Sequence, residues 1–239
     1  MYTIPKNLLS EGSTNSKTAK NSLKTYIMYL SPYKQNNKGI NLCPQASKGC
    51  IASCLFTAGR GKFSSVASAR INKANFYVEN RAEFLEKLYF ELVKINKKAL
   101  KNGEKIAIRL NGTSDVDFIG QLNKKFETDV LIQFNNLIFY DYTKILGKIE
   151  KYKGQNYHLT FSRSEDSKNE DLLKAHNLGA NIAVVFNKVP TTFNIAGTEI
   201  NVLNGDLSDI VMLFNKGQIL GLKAKGKALK DQSNFVINI

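Results

Sequence analysis

The sequence predicts an α/β fold, a single-domain complete or partial (β/α) barrel with mainly parallel strands. Three observations predict it. Strand-length apolar runs alternate with helix-like segments along most of the 239 residues, the order that builds a parallel sheet covered by helices. The runs are nearly continuous in apolar residues, as in strands buried on both faces. Polar residues gather just after the runs, where a barrel carries its chemistry. A doubly wound open sheet is the alternative, but no run is followed by G-x-G-x-x-G. No internal repeat and no linker divides the chain.

Residues 1–24 read as a polar, irregular arm before a single domain spanning 25–239. Thr25-Tyr-Ile-Met-Tyr-Leu30 is β-branched and aromatic and predicts the first strand. A long loop follows, marked by Pro32, Gly39, Pro44 and Gly49, with its cysteine-bearing part at 41–62. From Ser65 to Leu100 the spacing of Phe76, Phe84, Leu85, Leu88, Leu92 and Ile95 predicts helix, broken near Asn80 and stopped at Asn102-Gly103. Strands follow at 105–110, 137–140, 157–161, 181–186, 199–203 and 218–222. A short helix reaches Tyr152. Ser167 with Glu170 predicts a capping box opening a helix that closes at Asn177-Leu-Gly179.

Charge is distributed unevenly. The chain has 34 Lys+Arg against 20 Asp+Glu, a formal +14. Residues 1–78 hold eleven bases and one acid, and residues 216–239 hold five lysines and one acid. The middle sums to zero, so the whole excess lies at the two ends. Ends that meet in the fold would make one basic face, which implies a nucleic acid or nucleotide-like polyanion as partner. At 43% apolar and 23% charged residues the chain is neither disordered nor collagen-like. No apolar run reaches the ~20 residues of a membrane span. The first residues lack the apolar core of a secretory signal. A cytoplasmic protein without membrane association is expected.

All three cysteines fall within twelve residues, as Cys43-x6-Cys50-x3-Cys54. Thiols spaced this closely predict joint metal ligation, by zinc or an iron–sulfur cluster. Structural zinc takes four ligands, and His158, in a predicted strand, is the candidate fourth; His176 reads as a surface helix residue. A three-cysteine set without a fourth protein ligand instead suits a [4Fe–4S] cluster with one open iron.

Further candidates follow the predicted strands. Asn111, Gly112, Ser114 and Asp115 follow the second; Asp141 and Lys144 the third; Ser162, Arg163 and Glu165 the fourth; Asn187 the fifth; Asn204, Asp206 and Asp209 the sixth. Asp115 and Asp141 suit acid/base or orienting roles, while Lys144 and Arg163 suit a carboxylate or phosphate. Two glycine-rich basic segments, Ala58-Gly-Arg-Gly-Lys62 and Gly221-Leu-Lys-Ala-Lys-Gly-Lys227, suit an anion, although neither is a P-loop. The zinc-deaminase, H-E-x-x-H and G-x-S-x-G signatures are absent.

A three-cysteine loop after the first strand of a (β/α) chain resembles the radical S-adenosylmethionine enzymes. Asn111-Gly-Thr-Ser114 stands where that superfamily has a glycine-rich segment, and Gly217-Gln-Ile-Leu-Gly221 has the form of its G-x-I-x-G motif. The superfamily's usual spacing is C-x3-C-x2-C, shorter than the one here. The resemblance implies a [4Fe–4S] cluster on Cys43, Cys50 and Cys54 with S-adenosylmethionine as cofactor. It makes Asn111, Gly112, Ser114 and Gly221 candidate cofactor contacts; their position after predicted strands adds Ser162 and Arg163 to these and makes Asp115, Asp141 and Lys144 candidate catalytic residues.

A second resemblance spans nearly the whole chain. Cys43-Pro-x-Ala-Ser-x-Gly-Cys50-x3-Cys54-Leu, Ala58-Gly-Arg60, Arg109-Leu-Asn-Gly-Thr-Ser-Asp115, Phe139-Tyr-Asp-Tyr-Thr-Lys144, Asn204-Gly-Asp206 and Gly221-Leu-Lys-Ala-Lys-Gly226 resemble the gene-product-88 family of bacteriophages and related mobile elements. It implies a phage setting and supplies no activity. Three functions are therefore open from the sequence: a cluster-bearing, radical-type metalloenzyme acting on a nucleotide or nucleic acid, a zinc-stabilised barrel that binds nucleic acid or modifies DNA bases, or a phage interaction protein whose cysteines are only structural.

Overall fold

The computed structural model describes residues 2–12, 23–54, 56, 59–208 and 210–239. In chain order the elements are β1 (Leu9–Glu11), β2 (Lys24–Met28), α1 (Lys48–Ala52), α2 (Ser64–Glu79), α3 (Arg81–Asn102), β3 (Ile106–Arg109), α4 (Phe118–Phe126), α5 (Val130–Gln133) and β4 (Leu137–Thr143). Then come α6 (Leu146–Lys151), β5 (Tyr157–Ser162), α7 (Asn169–Asn177), β6 (Asn181–Phe186), β7 (Thr192–Ile195), β8 (Thr198–Asn204), α8 (Val211–Phe214), β9 (Ile219–Lys223) and β10 (Val236–Ile237).

The strands make one sheet in the order β1-β2-β3-β4-β5-β6-β9-β8-β7, with β10 beside β6. Neighbours from β2 to β8 along this order are parallel; β1 and β7 are antiparallel to their partners. This is a mixed α/β sheet of mainly parallel strands, with β1 and β7 at its two ends. β5 pairs with β6 only as far as Ala183, and β10 takes the next places by pairing Val236 with Val185 and Ile237 with Phe186.

Both faces of the sheet are apolar, as the continuous runs predict. Ile106, Ile108, Phe139, Leu159, Phe161, Ile182 and Val184 pack with Phe84, Leu88 and Leu92 of α3, Leu122 of α4, Ile149 of α6 and Leu172 of α7. On the other face Ala107, Tyr140 and Leu220 pack with Ile210 and Met212. The predicted break at Asn80 separates α2 from α3, and Gly103, at φ +64°, ends α3 in the left-handed region open to glycine.

Three features depart from expectation. The lead-in is not wholly irregular: Leu8 and Leu9 are buried, and their N–H groups donate to the Glu91 carboxylate at 2.8–3.1 Å. The Ser167–Glu170 capping box does not form. Lys168 is the N-cap of α7, and the Ser167 hydroxyl instead accepts from Ser164 N–H at 2.9 Å. Residues 118–133, for which no element was expected, form α4 and α5, each opened by an aspartate cap, Asp117 and Asp129.

Asp117 gives a test of the fold's acid response. Burial pushes its carboxyl up, but hydrogen bonds from Lys151, Tyr152 and Gly120 N–H outweigh burial and hold it below the ordinary carboxylate range. Asp117→Ala is expected to cost about 1 kcal/mol at pH 7 in urea denaturation. A depressed folded value means the contribution is complete above the unfolded pKa of about 3.9 and fades as pH falls through the lower folded value. A gap between wild type and variant that stays constant from neutral pH into that acid window would contradict this assignment.

Candidate functional site

The cysteine loop lies across the carboxyl ends of the parallel strands and is tied to the loop after each neighbouring strand. Asp115 N–H, after β3, donates to Leu42 O at 2.8 Å, and the Cys43 thiol contacts Thr113 O at 3.7 Å. Tyr33 N–H donates to Cys43 Sγ at 3.4 Å. Ser47 caps α1: its Oγ accepts from Cys50 N–H at 3.1 Å and donates to Glu165 Oε2 at 2.7 Å. Glu165, after β5, also accepts from Gly49 N–H at 2.5 Å. Cys50 packs against Ala224, Ala228, Phe235 and Val185.

The three thiols are free and half-buried. Burial pushes Cys43 up to about 12; the Tyr33 N–H opposes this, while Cys54 and Cys50 add to it. Burial is also the main cause raising Cys50 and Cys54, and both are pulled down by the Lys144 ammonium. The loop therefore gathers its thiols into one electrostatic neighbourhood. Two cations border it. Lys144 donates to Ser162 Oγ at 2.9 Å and Ser162 O at 3.0 Å. Burial lowers its pKa, against the raising influence of Cys50, Asp115 and Glu165. Arg70 lies between the rings of Tyr29 and Phe56, at 4.6 and 5.4 Å, and its charge acts on Cys54.

Among the described residues, no three His, Cys, Asp or Glu side chains form a group that holds a metal ion. Tetrahedral zinc with Zn–S bonds of about 2.3 Å needs sulfurs about 3.8 Å apart, so these thiols must draw together to take a single ion. His158 does not stand with them. It is the second residue of β5, beside Tyr140 of β4, and Lys216 is the charge acting on it. Ser162, at the thiol end of the same strand, is four residues on, about 13 Å at strand rise.

The candidate carboxylates are internal ties. Asp141 is 0% exposed and accepts from Asn111 N–H at 2.8 Å, Asn111 Nδ2 at 3.0 Å and Tyr157 OH at 2.7 Å, with Arg109 Nε at 3.8 Å. Asp115 accepts from Thr143 Oγ1, Lys144 N–H and Lys148 Nζ, each at 2.9 Å at its shortest. Asn111 Oδ1 in turn holds Ser114 Oγ and Val116 N–H. The Asn111–Asp115 turn thus positions the Thr113 carbonyl and the Asp115 N–H that hold the cysteine loop. Gly112 lies under the Tyr29 ring, where a Cβ would come within 2.5 Å of ring carbon.

Arg163 donates through Nη1 to Asn234 O at 2.6 Å and Phe235 O at 3.1 Å, clamping the C-terminal segment. Ser53 Oγ donates to Asp231. The C-terminal segment thus packs on the cysteine loop through Asp231, Ser233 and Phe235. Gly221 is not in this group: it lies in β9, beyond β6, against Val189 and Val202. Asn187, Asn204 and Asp206 also gather there, around a separate cavity. Asp209 and Ala58 lie outside the described residues.

Residues that sequence reasoning did not single out are Ser47, Arg70, Thr143, Lys148 and Tyr157. Ser47 carried a legible signal, a cap-forming residue ahead of a short helical segment; the others act through partners distant in sequence. Gly49 is constrained most tightly. A Cβ there would collide with Ser233 Oγ and lie 2.7–2.8 Å from the Glu165 oxygens. Gly49→Ala is therefore expected to detach the loop from Glu165 and Ser233. Faster proteolytic cleavage within residues 41–54, with the global melting temperature lowered by only a few degrees, is the readout; unchanged cleavage would show that the neighbours yield freely.

These features define a mixed α/β protein with three thiols and a lysine gathered at the carboxyl ends of its parallel strands. The model of the gene product 88 family matches residues 7–239, and the chain belongs to that family. No curated protein and no solved structure matches it. Among the described residues no helix is long and apolar enough to cross a membrane.

Proposed function

We propose that the chain is a phage-type metalloenzyme that carries an iron–sulfur cluster on Cys43, Cys50 and Cys54 and acts on a nucleotide or nucleic acid by radical S-adenosylmethionine-like chemistry. The observation that carries this reading is the gathering of three thiols, from the loop after the first parallel strand, at the carboxyl ends of the sheet beside Lys144. The donor set fits in kind: three thiols without an imidazole leave one iron of a [4Fe–4S] cluster open. When bound, such a cluster supplies the electron for reductive cleavage of S-adenosylmethionine. A partial-barrel form of the sheet belongs to the same proposal.

The protein's own groups have defined tasks in this reading. Glu165 and Ser47 fix the Cys50 turn, and the Asn111–Asp115 turn fixes Cys43. Lys144 and Arg70 place positive charge beside thiols that must lose protons on metal loading. The concentration of lysine and arginine in residues 1–78 and 216–239 is what supports a polyanionic substrate.

Protein purified without oxygen is expected to contain about four irons and matching acid-labile sulfide per chain, with a broad visible absorption that bleaches on reduction. One zinc and no iron would overturn this reading. It would favour the second one, a zinc-stabilised nucleic-acid-binding or DNA-base-modifying protein, which the basic excess in residues 1–78 and 216–239 also supports.

A further inference from the structure

A second site lies on the same rim of the sheet, at the carboxyl ends of β6, β9 and β8. A cavity of about 440 Å³ opens there, walled by Lys188, Lys223 and Lys225, with Asn187, Asn204 and Val189. Its volume falls in the range of small-ligand sites. The carboxyl ends of parallel strands are where open α/β sheets take ligands.

The hydrogen bonds around this cavity leave it lined by donors. Among the described residues Asp206 is the only acid lining it, and both carboxylate oxygens are engaged: Oδ2 accepts from Lys223 N–H at 2.8 Å and Oδ1 from Lys225 Nζ at 2.7 Å. Asn187 Oδ1 accepts from Lys188 N–H at 2.7 Å and from Ile239 N–H at 3.0 Å. Asn204 Oδ1 accepts from Asp206 N–H at 3.0 Å. Because both amide oxygens accept from backbone, the amide orientation is set and each NH2 remains available. Among the described residues neither Asn187 Nδ2 nor Asn204 Nδ2 has a partner, and the ammonium groups of Lys188 and Lys223 face no carboxylate. The described lining residues carry three ammonium groups and one carboxylate, a charge of +2.

Val189 forms the apolar part of the wall. It sits directly over Gly221, where a Cβ would stand 2.5 Å from Val189 Cγ1. Gly221, singled out from the sequence as a cofactor contact, instead lets this wall settle onto β9.

We propose that the cavity binds a phosphate dianion, either free or as the monoester of a nucleotide-sized ligand. Two uncompensated ammonium groups and two amide donors match a group with two charges and three terminal oxygens, and Val189 offers the ester side an apolar contact. The site gives the nucleotide of the proposed function a place for its phosphate, and rests on that reading for nothing else.

The test is calorimetric titration of the full chain with adenosine 5′-monophosphate, inorganic phosphate and adenosine. Saturable binding of either phosphate is expected, with none of adenosine. Lys188→Gln and Lys223→Gln should each weaken it roughly tenfold, and Lys230→Gln, an exposed lysine away from the cavity, should leave it unchanged. Tighter binding of the nucleotide than of phosphate assigns the site to an ester; the reverse assigns it to the free ion. Adenosine binding as well as its monophosphate, no phosphate binding, or equal affinity in all variants would each overturn the proposal. Iron is measured on the same samples, so failure here and failure of the cluster reading are scored separately.

Discussion

Serine in place of Cys43, Cys50 or Cys54, one at a time, is expected to reduce iron from about four per chain to below about one and to remove the visible absorption. An alcohol is a far poorer ligand than a thiol because its proton is held much more tightly. The three positions should differ in what else they disturb. Cys50 packs among Ala224, Ala228 and Phe235, so a serine there also buries a hydroxyl in an apolar contact, at a cost of about 1–3 kcal/mol. Cys50→Ala avoids that hydroxyl and separates ligand loss from misfolding. Near-ultraviolet circular dichroism on the same samples shows whether the fold persists. A variant that keeps full iron and sulfide would remove its cysteine from the ligand set, and three such variants would end the cluster proposal.

The largest loss of stability is expected from Asp141→Ala. The carboxylate is wholly buried and accepts from Asn111 twice and from Tyr157, with Arg109 nearby. Truncation strands those donors away from water, a loss of about 3–5 kcal/mol when a buried charge loses its partner. In a chain of this length that lowers Tm by roughly 10 °C. Asp141→Asn keeps one acceptor oxygen but turns a donor toward other donors, so it should recover only part of the loss. Asn111 begins the turn that holds the cysteine loop at Thr113 and Asp115, so both variants should also load less iron. A loss below about 1 kcal/mol in urea denaturation would show that the buried network is not a principal support of the fold.

The contrast between these two predictions shows what the sequence could reveal. The strands were legible because burial on both faces leaves an unbroken apolar run, as in Asn181–Phe186. The break at Asn80 and the stop at Gly103 were legible because they are local. Residues 118–133 were passed over because α4 and α5 are short and their capping aspartates, Asp117 and Asp129, resemble ordinary loop residues. The cysteine loop stood out by spacing alone. The roles of Asp115 and Asp141 did not, because a carboxylate after a strand looks the same whether it faces a ligand or a buried amide. Their partners Lys148 and Tyr157 lie 33 and 16 residues away. Glu165 was picked out as a strand-end residue, but its bond to Gly49 crosses 116 residues and leaves no local trace.

The pairing of β10 with β6, and the seat of Phe235 beside Cys50, bear on the order of events during synthesis. At roughly 5–20 residues per second, Phe235 is made some 9–36 s after Cys54. For that interval Cys50 is already in the chain while Phe235, which packs against it, has yet to be translated. Under the cluster proposal, synthesis itself leaves an interval in which Cys50 is open on the side where Phe235 later packs.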